Sequence, residues 1–157
     1  MHRLLLLAAL CAATAAHARA FTAEVTHVTD GDTLWVQPAR GAPRQLRIRG
    51  IDAPEICQAH GGAAQQALAA RVLHRSVTVT VAGKDDYQRW LASVRLGRLD
   101  VGGWLVGQGH AWAHRFKRKA VPYAQLEASA RAARSGLWAQ PAPVDPREFR
   151  RLHGSCH

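Results

Sequence analysis

The sequence predicts a small β-barrel with helices packed against it, and three observations lead to this prediction. Five short segments have the composition and alternation of β-strands, and the first three follow one another with only turns between them. One segment with helical spacing separates the third strand from the fourth, and two more follow the fifth. The chain has 157 residues, enough for one domain with a substantial core.

The strands are predicted from alternating apolar and polar residues and from the turns between them. An Asp-Gly-Asp turn at residues 30–32 joins the first two strands, which is a hairpin-type signal. The third strand alternates Leu46 and Ile48 with two arginines, so that one face is apolar and the other cationic. The five predicted strands are residues 21–28, 33–37, 44–51, 77–81 and 89–96.

Three other segments carry helical signals. Residues 63–75 combine strong helix formers with apolar residues at helical spacing. Asp100 can cap a short helix, and a last amphipathic helix over residues 122–134 has Gly136 just past its end. Residues 141–157 are basic, contain prolines and are predicted to be extended.

This order of elements is typical of a mainly β fold, the five-stranded oligonucleotide-binding-fold barrel packed with three α-helices. A split ferredoxin-like sheet is the structural alternative. It fits the three consecutive strands at the start of the chain less well.

The first twenty residues resemble a secretory signal peptide. A positive start at His2 and Arg3 precedes an apolar run over residues 4–16, and a small-x-small sequence at residues 18–20 fits a cleavage site. The run is short for a membrane span, although an anchor or a buried helix is the alternative. We expect an exported bacterial protein, periplasmic or secreted. The predicted organisation is a cleaved leader over residues 1–20, a domain over 21–138 and a basic, proline-containing tail over 139–157.

Two cysteines remain beyond this leader, Cys57 and Cys156. An even pair in an exported chain is more often a disulfide than two free thiols. Such a bond would close a long loop, for which the chain-entropy model allows about 4–5 kcal/mol of stability. It would also tie the tail beside the loop that carries Glu55.

The charge of the chain favours a polyanionic partner. The sequence has 21 Lys and Arg against 11 Asp and Glu, a net charge of +10. A strongly basic small domain binds polyanions in a salt-dependent way. Charge alone does not separate a nucleic acid from a membrane surface or an acidic polysaccharide.

Residues 30–55 hold the kinds of group that phosphodiester chemistry requires. Asp32 begins the second strand and Asp52 ends the third, so pairing of these strands would bring two carboxylates suited to Ca²⁺ to one end of the barrel. Arg47 offers a planar, permanently charged fork for a phosphate. Glu55 follows a proline and could accept a proton from water. Each residue alone is commonplace, but together they predict a metal-and-phosphate site.

Five motifs in this chain resemble the staphylococcal nuclease (thermonuclease) family. They are Asp-Gly-Asp-Thr at 30–33, Arg-x-x-Gly-Ile-Asp-Ala-Pro-Glu at 47–55, Asp-x-Tyr-x-Arg at 85–89, Gly-His-Ala-Trp at 109–112, and the Glu…Arg…Ser-Gly-Leu-Trp pattern at 127–138. The motifs stand in the family's order over about residues 22–138. The resemblance implies Ca²⁺-dependent cleavage of DNA and RNA that leaves 3′-phosphate ends.

The resemblance also implies roles for individual acidic residues. Asp32 and Asp52 become metal ligands through their side chains, and Ala53 becomes one through its backbone carbonyl. Asp30 matches a position near the metal that is not a principal ligand. Glu55 becomes the residue that activates or orients the attacking water.

Two arginines, Arg47 and Arg89, match those with which the family grips the scissile phosphate, and Tyr87 matches a nucleotide-facing tyrosine. The family's common Tyr-Gly-Arg turn is here Tyr-Gln-Arg. Replacing the glycine with Gln88 removes easy access to positive φ. This turn, and with it the direction of Arg89, is where the chain departs from the family.

Further basic residues are expected to bind substrate. Arg49 shares the cationic face of the third strand with Arg47. Arg115 and Lys117 belong to a basic cluster around Phe116, which can follow a phosphate backbone while the ring offers a stacking surface. A solvated charged loop is the alternative for this cluster.

Two other functions remain open at this stage. A noncatalytic barrel of the same fold would bind nucleic acid without cleaving it, and a polyanion-binding envelope protein would need only the charge. The complete set of acids and arginines favours the nuclease. We expect it to be a monomer, without stable membrane insertion, that acts on single-stranded or locally opened DNA and RNA without sequence specificity.

Overall fold

A computed structural model of the chain describes residues 20–114 and 121–156. The strands in these ranges are β1 (Ala20–Val28), β2 (Thr33–Pro38), β3 (Arg44–Ile48), β4 (Ile51–Asp52), β5 (Ser76–Lys84), β6 (Trp90–Leu96), β7 (Leu99–Asp100) and β8 (Trp112–Ala113). The helices are α1 (Gly61–Val72), α2 (Val101–Gly107), α3 (Ala124–Ala132), α4 (Pro146–His153) and a 3₁₀-helix at Gly136–Ala139.

Five of the strands close into the barrel that the sequence predicts. β1 pairs antiparallel with β2 and β5, β2 with β3, and β5 with β6. The ring is completed by the parallel pairing of β3 with β6, in which Leu46 lies opposite Trp90. This pairing leaves no open edge between the two strands, which excludes the split ferredoxin-like sheet. The oligonucleotide-binding-fold barrel is therefore confirmed.

The apolar positions of the alternating strands fill the barrel. They are fully buried at Val25, Leu34, Val36, Leu46, Ile48, Val77, Val79, Ala92 and Val94. Helices α1 and α2 complete this core with Leu68, Val72, Leu105 and Val106. A second cluster connects α3 and the 3₁₀-helix to β8 through Trp112, Ala130, Leu137 and Trp138. The core thus supports the strand ends that carry the acidic residues.

The third predicted strand is shorter than expected. It ends at Ile48, because the chain turns at Arg49 and Gly50, where Gly50 has a φ of 82°. The two residues that follow form β4, which leaves the barrel and pairs with β8, Asp52 opposite Trp112. Asp52 is therefore held by a separate short strand.

Two predictions about helices are wrong. Asp100 precedes α2, but its carboxylate accepts a hydrogen bond from the Tyr123 hydroxyl at 2.9 Å and does not cap the helix. The tail is not extended throughout, since α4 occupies much of it. Asp145 caps α4 by accepting a hydrogen bond from the Arg147 backbone N–H at 2.8 Å, and Pro146 takes the first helical position, where its missing N–H is not needed.

The predicted disulfide between Cys57 and Cys156 is present, with the two Cα atoms 5.9 Å apart. It joins residues 99 positions apart and holds the end of the tail beside the loop after β4. Among the helices of the described ranges, none has the length and apolar character needed to cross a membrane. The predicted leader lies outside the described residues except for Ala20.

Two adjacent glycines at the start of α1 allow a matched test of how this helix fixes the loop before it. A Cβ on Gly61 would lie 1.8 Å from the Glu55 carbonyl oxygen, whereas a Cβ on Gly62 would meet nothing within 4 Å. Gly61→Ala should therefore lower the free energy of unfolding by about 1–3 kcal/mol. Gly62→Ala should raise it by about 0.5–1 kcal/mol, because alanine is the better helix former. Urea denaturation measures both, and equal effects would contradict this packing.

Candidate active site

The two predicted metal ligands meet at one end of the barrel. Asp32 is the last residue of the turn before β2 and Asp52 ends β4, and their exposed fractions are only 2% and 3%. Arg47 on β3 lies between them: its guanidinium contacts the Asp32 carboxylate, and its Nη2 donates to Asp52 Oδ1 at 2.7 Å. The structure therefore brings together three residues from three separate segments, the turn before β2, β3 and β4.

Local hydrogen bonds fix the Asp32 carboxylate. Its Oδ2 accepts from the Ala53 backbone N–H at 2.8 Å, and its Oδ1 accepts from the Thr33 hydroxyl at 3.1 Å. Asp30 orders the turn by accepting from the Asp32 backbone N–H at 2.9 Å. Gly31 is needed because a Cβ there would lie 2.7 Å from the Ala53 Cβ. The Asp-Gly-Asp turn can approach Ala53 this closely only with glycine at its centre.

Glu55 lies in the loop that connects β4 to α1. Its backbone N–H donates to Gln58 Oε1 at 3.1 Å, and its carbonyl accepts from the Gln58 N–H at 2.8 Å. The tight contact with Gly61 closes the loop from the other side. These contacts direct the half-buried Glu55 carboxylate to the same end of the barrel as Asp52.

One residue of the site, Arg150 on α4, is missed by the sequence analysis. Its Nη2 donates to Asp52 Oδ2 at 2.9 Å, and its Nη1 donates to Glu55 Oε1 at 2.8 Å. The predicted disulfide is the signal that pointed to this region, because it returns the tail to the loop of Glu55. The disulfide alone could not indicate which of the arginines in the tail reaches the site.

Arg89 occupies a different environment from Arg47. Its Nε donates to Asp85 Oδ2 at 2.7 Å, and its guanidinium carbon lies 5.2 Å from the centroid of the Tyr87 ring. Gln88 adopts a φ of 64°, so the turn keeps a left-handed residue where the family has glycine. Arg89 directly precedes Trp90, the first residue of β6, and Trp90 pairs with Leu46 of β3. Arg89 therefore lies at the start of the strand that neighbours β3, which carries Arg47.

Of the remaining predicted substrate contacts, the two in the described ranges, Tyr87 and Arg49, make no hydrogen bond or ion pair with Asp32, Asp52 or Glu55. Tyr87 is 79% exposed next to Arg89. Arg49 is exposed at the end of β3, where its charge acts on the Tyr123 hydroxyl. Arg115 and Lys117 lie outside the described residues.

Burial and the arginines act in opposite directions on the two aspartates. Burial raises the pKa of Asp32 to about 7, against the attraction of Arg47. Burial also acts on Asp52, but there the hydrogen bonds from Arg150 and the charge of Arg47 prevail and lower the pKa. The acids in turn raise the pKa of both arginines despite their burial. Both guanidinium groups are therefore permanent charges of the site.

The donor set fits a hard divalent cation in an open site. The described residues contain no group of three or more His, Cys, Asp and Glu side chains that could enclose a metal ion. Two buried carboxylates and the adjacent backbone of Ala53 are instead oxygen donors of the kind that a hard divalent cation such as Ca²⁺ binds together with water. Two guanidinium groups now balance the negative charge that such an ion would neutralise.

Comparison with known proteins agrees with this geometry. The family model described as "Staphylococcal nuclease homologue" matches residues 45–140. The chain is 35% identical over 130 residues to an "Uncharacterized endonuclease" of Haemophilus influenzae, a match that covers 83% of this chain and 73% of the relative. It is 39% identical to "Protein ParB" of Escherichia coli, over 82% and 78% of the two chains. It is 37% identical to "Micrococcal nuclease" of Shigella flexneri, over 83% and 81%. The chain belongs to the staphylococcal nuclease family.

Proposed function

We propose that this protein is a Ca²⁺-dependent nuclease that hydrolyses phosphodiester bonds of DNA and RNA and leaves 3′-phosphate ends. The observation that carries the proposal is the convergence of Asp32, Asp52, Arg47 and Glu55 at one end of a closed barrel. The nuclease names of the relatives from Haemophilus influenzae and Shigella flexneri support it. A barrel that only binds nucleic acid would have no use for buried carboxylates that neutralise its own arginine.

The proposed metal ligands are the side chains of Asp32 and Asp52 and the backbone carbonyl of Ala53. The chemistry that Ca²⁺ supplies when bound is electrostatic, since it stabilises the negative charge that grows on the phosphate. A cation held by the two aspartates would also weaken their ion pairs with Arg47. This arginine can then donate two parallel hydrogen bonds to the scissile phosphate.

The remaining roles follow from the same arrangement. Glu55 orients the attacking water and accepts its proton. The water oxygen forms a bond to phosphorus while the bond to the 5′ oxygen breaks, and the 5′ oxygen takes up a proton from solvent water as it leaves. Arg89 and Tyr87 would contact the phosphate and nucleotide from the turn between β5 and β6, with Arg49, Arg115 and Lys117 adding attraction for the nucleic-acid backbone.

We also propose that the protein works outside the cytoplasm. The disulfide is of the kind that persists in oxidising compartments, and the leader-like residues 1–20 are typical of export to the periplasm or the medium. The mature protein would then be a monomer made of the barrel domain over residues 21–138 and the tail over 139–157.

The catalytic role of Glu55 is tested by Glu55→Gln, which keeps the shape of the side chain but removes the proton acceptor. We expect kcat on a single-stranded DNA oligonucleotide with Ca²⁺ to fall by about 10²–10⁴-fold. Glu24→Gln is the matched control, since Glu24 is an exposed glutamate of β1 and should leave kcat unchanged. Equal activity of the two variants would contradict the assignment.

The metal requirement is tested by the same digestion with a calcium chelator. We expect cleavage to stop and to return when Ca²⁺ is added in excess. The products should carry 5′-hydroxyl ends, which polynucleotide kinase labels without prior phosphatase treatment. Undiminished cleavage in chelator would reject the metal assignment, and no cleavage with Ca²⁺ present would favour the noncatalytic barrel.

The raised pKa of Asp32 gives a pH dependence for metal binding. Below about pH 7 this carboxyl holds a proton, and Ca²⁺ must displace it, so affinity should fall by about tenfold from pH 8 to pH 6. Calorimetric titration in buffers of different ionisation enthalpy should detect about one proton released per Ca²⁺ at pH 6 and far less at pH 8.5. Absence of release at both pH values would mean that Asp32 is already ionised.

A further inference from the structure

The tail brings a permanent positive charge onto two acids of the site. The Arg150 guanidinium contacts Asp52 at 2.9 and 3.3 Å and Glu55 at 2.8 Å. Its side chain is about one-third exposed, whereas that of Asp52 is 4% exposed. Arg150 therefore stands at the opening of the site, between the solvent and the carboxylates.

Anchors that do not involve Arg150 hold the tail in this position. The disulfide fixes its end, and Gln58 Nε2 fixes its beginning by donating to the Val144 carbonyl at 2.7 Å. Between them α4 starts at a capped turn with a buried proline, Pro146. Arg150 lies between two fixed points, so its place near the acids does not depend on its own ion pairs.

A cation on Asp52 would compete with Arg150 for the same carboxylate oxygens. Both Asp52 oxygens already accept hydrogen bonds from guanidinium groups, Oδ2 from Arg150 and Oδ1 from Arg47 and Arg150. A cation bound to Asp52 would weaken the contacts of Arg150 with this carboxylate, while the disulfide would still hold the tail in place. A phosphate held between the metal on Asp52 and a water at Glu55 would then lie within reach of its donors.

Arg89 does not occupy the place beside Asp52 and Glu55 from which an arginine could donate to the phosphate. Its Nε is bound to Asp85 and its face is turned to Tyr87, and in the described residues it contacts none of the site's three acids. Arg150 contacts two of them directly. Of these two arginines, Arg150 is the one already bound to Asp52, a proposed metal ligand, and to Glu55, the proposed proton acceptor.

We infer that Arg150 is a further substrate-contacting residue, which leaves Asp52 when the metal binds and donates to the scissile phosphate. The inference rests on the proposed function. According to this inference, the disulfide-anchored tail supplies one group of the active site, the Arg150 guanidinium. It also makes Arg150 both a competitor of the metal and a partner of the substrate, and these two roles have effects of opposite sign.

The test uses Arg150→Ala in the full chain, with Arg147→Ala as the matched control. Arg147 is an exposed arginine on the same helix, so its removal changes the net charge equally. We expect Arg150→Ala to bind Ca²⁺ several-fold more tightly by calorimetry without DNA, and to lower kcat on single-stranded DNA at saturating Ca²⁺ by about 10–100-fold. Arg150→Lys should recover part of kcat, and Arg147→Ala should leave both quantities at the wild-type values.

Two results would overturn the inference. A higher kcat for Arg150→Ala would make the tail a cover that inhibits the site. Unchanged Ca²⁺ affinity and kcat, with a lower Tm, would make the ion pairs merely structural. A wild-type protein that cleaves nothing would reject the proposed function, while the Ca²⁺ titration would still test the competition at Asp52.

A second variant releases the tail without changing any charge of the site. Replacing both cysteines of the disulfide, Cys57→Ser with Cys156→Ser, should lower kcat towards the value of Arg150→Ala. Adding Arg150→Ala to this variant should cause little further loss, because both changes remove the same contact. If the two changes lowered kcat by independent factors that multiply in the combined variant, the anchored tail would not be what positions Arg150 at the site.

Discussion

The arrangement of this protein depends on the placement of Arg47 between two buried carboxylates. Asp32 and Asp52 have almost no access to solvent, and ionised groups in such a place cost several kcal/mol each unless they are paired. Arg47 supplies the pairing from β3, whose position is fixed by the strands on both sides. Formation of the site therefore depends on formation of the barrel, because closure of the ring of strands places the Arg47 guanidinium between the two carboxylates.

The same ion pairs explain how the site can exist before a metal or substrate arrives. Arg47 and Arg150 together provide the positive charge that Asp52 and Glu55 need in the free protein. Under the proposed function, a divalent cation would offer a positive partner to the acids, and a phosphate diester would offer a negative partner to the arginines. Binding would then exchange partners among charges that are already in place, which requires less rearrangement than assembling the site from separated residues.

Much of the barrel could be predicted because its determinants are local. Strand alternation places Leu46 and Ile48 inside and Arg47 outside, and strand ends give the positions of the acids. The shortening of β3 at Gly50 and the path of the tail could not be predicted, since each depends on contacts with distant residues. Arg150 illustrates this limit: α4 carries other arginines within three residues of it, and only the three-dimensional position of the helix distinguishes them. Gln88 is similar, because Asp85 holds its turn by accepting from the Tyr87 and Arg89 backbone N–H groups.

The disulfide also decides where additional chain can be attached. Cys156 is bonded to Cys57, which lies two residues after Glu55. A polypeptide attached after Cys156 would therefore begin beside the opening of the site. A purification tag or a fusion partner on that side would compete with a long polymeric ligand for the same approach. Attachment to the start of β1, at Ala20, would instead extend a strand that pairs with β5 at Thr80, away from the residues of the acidic end.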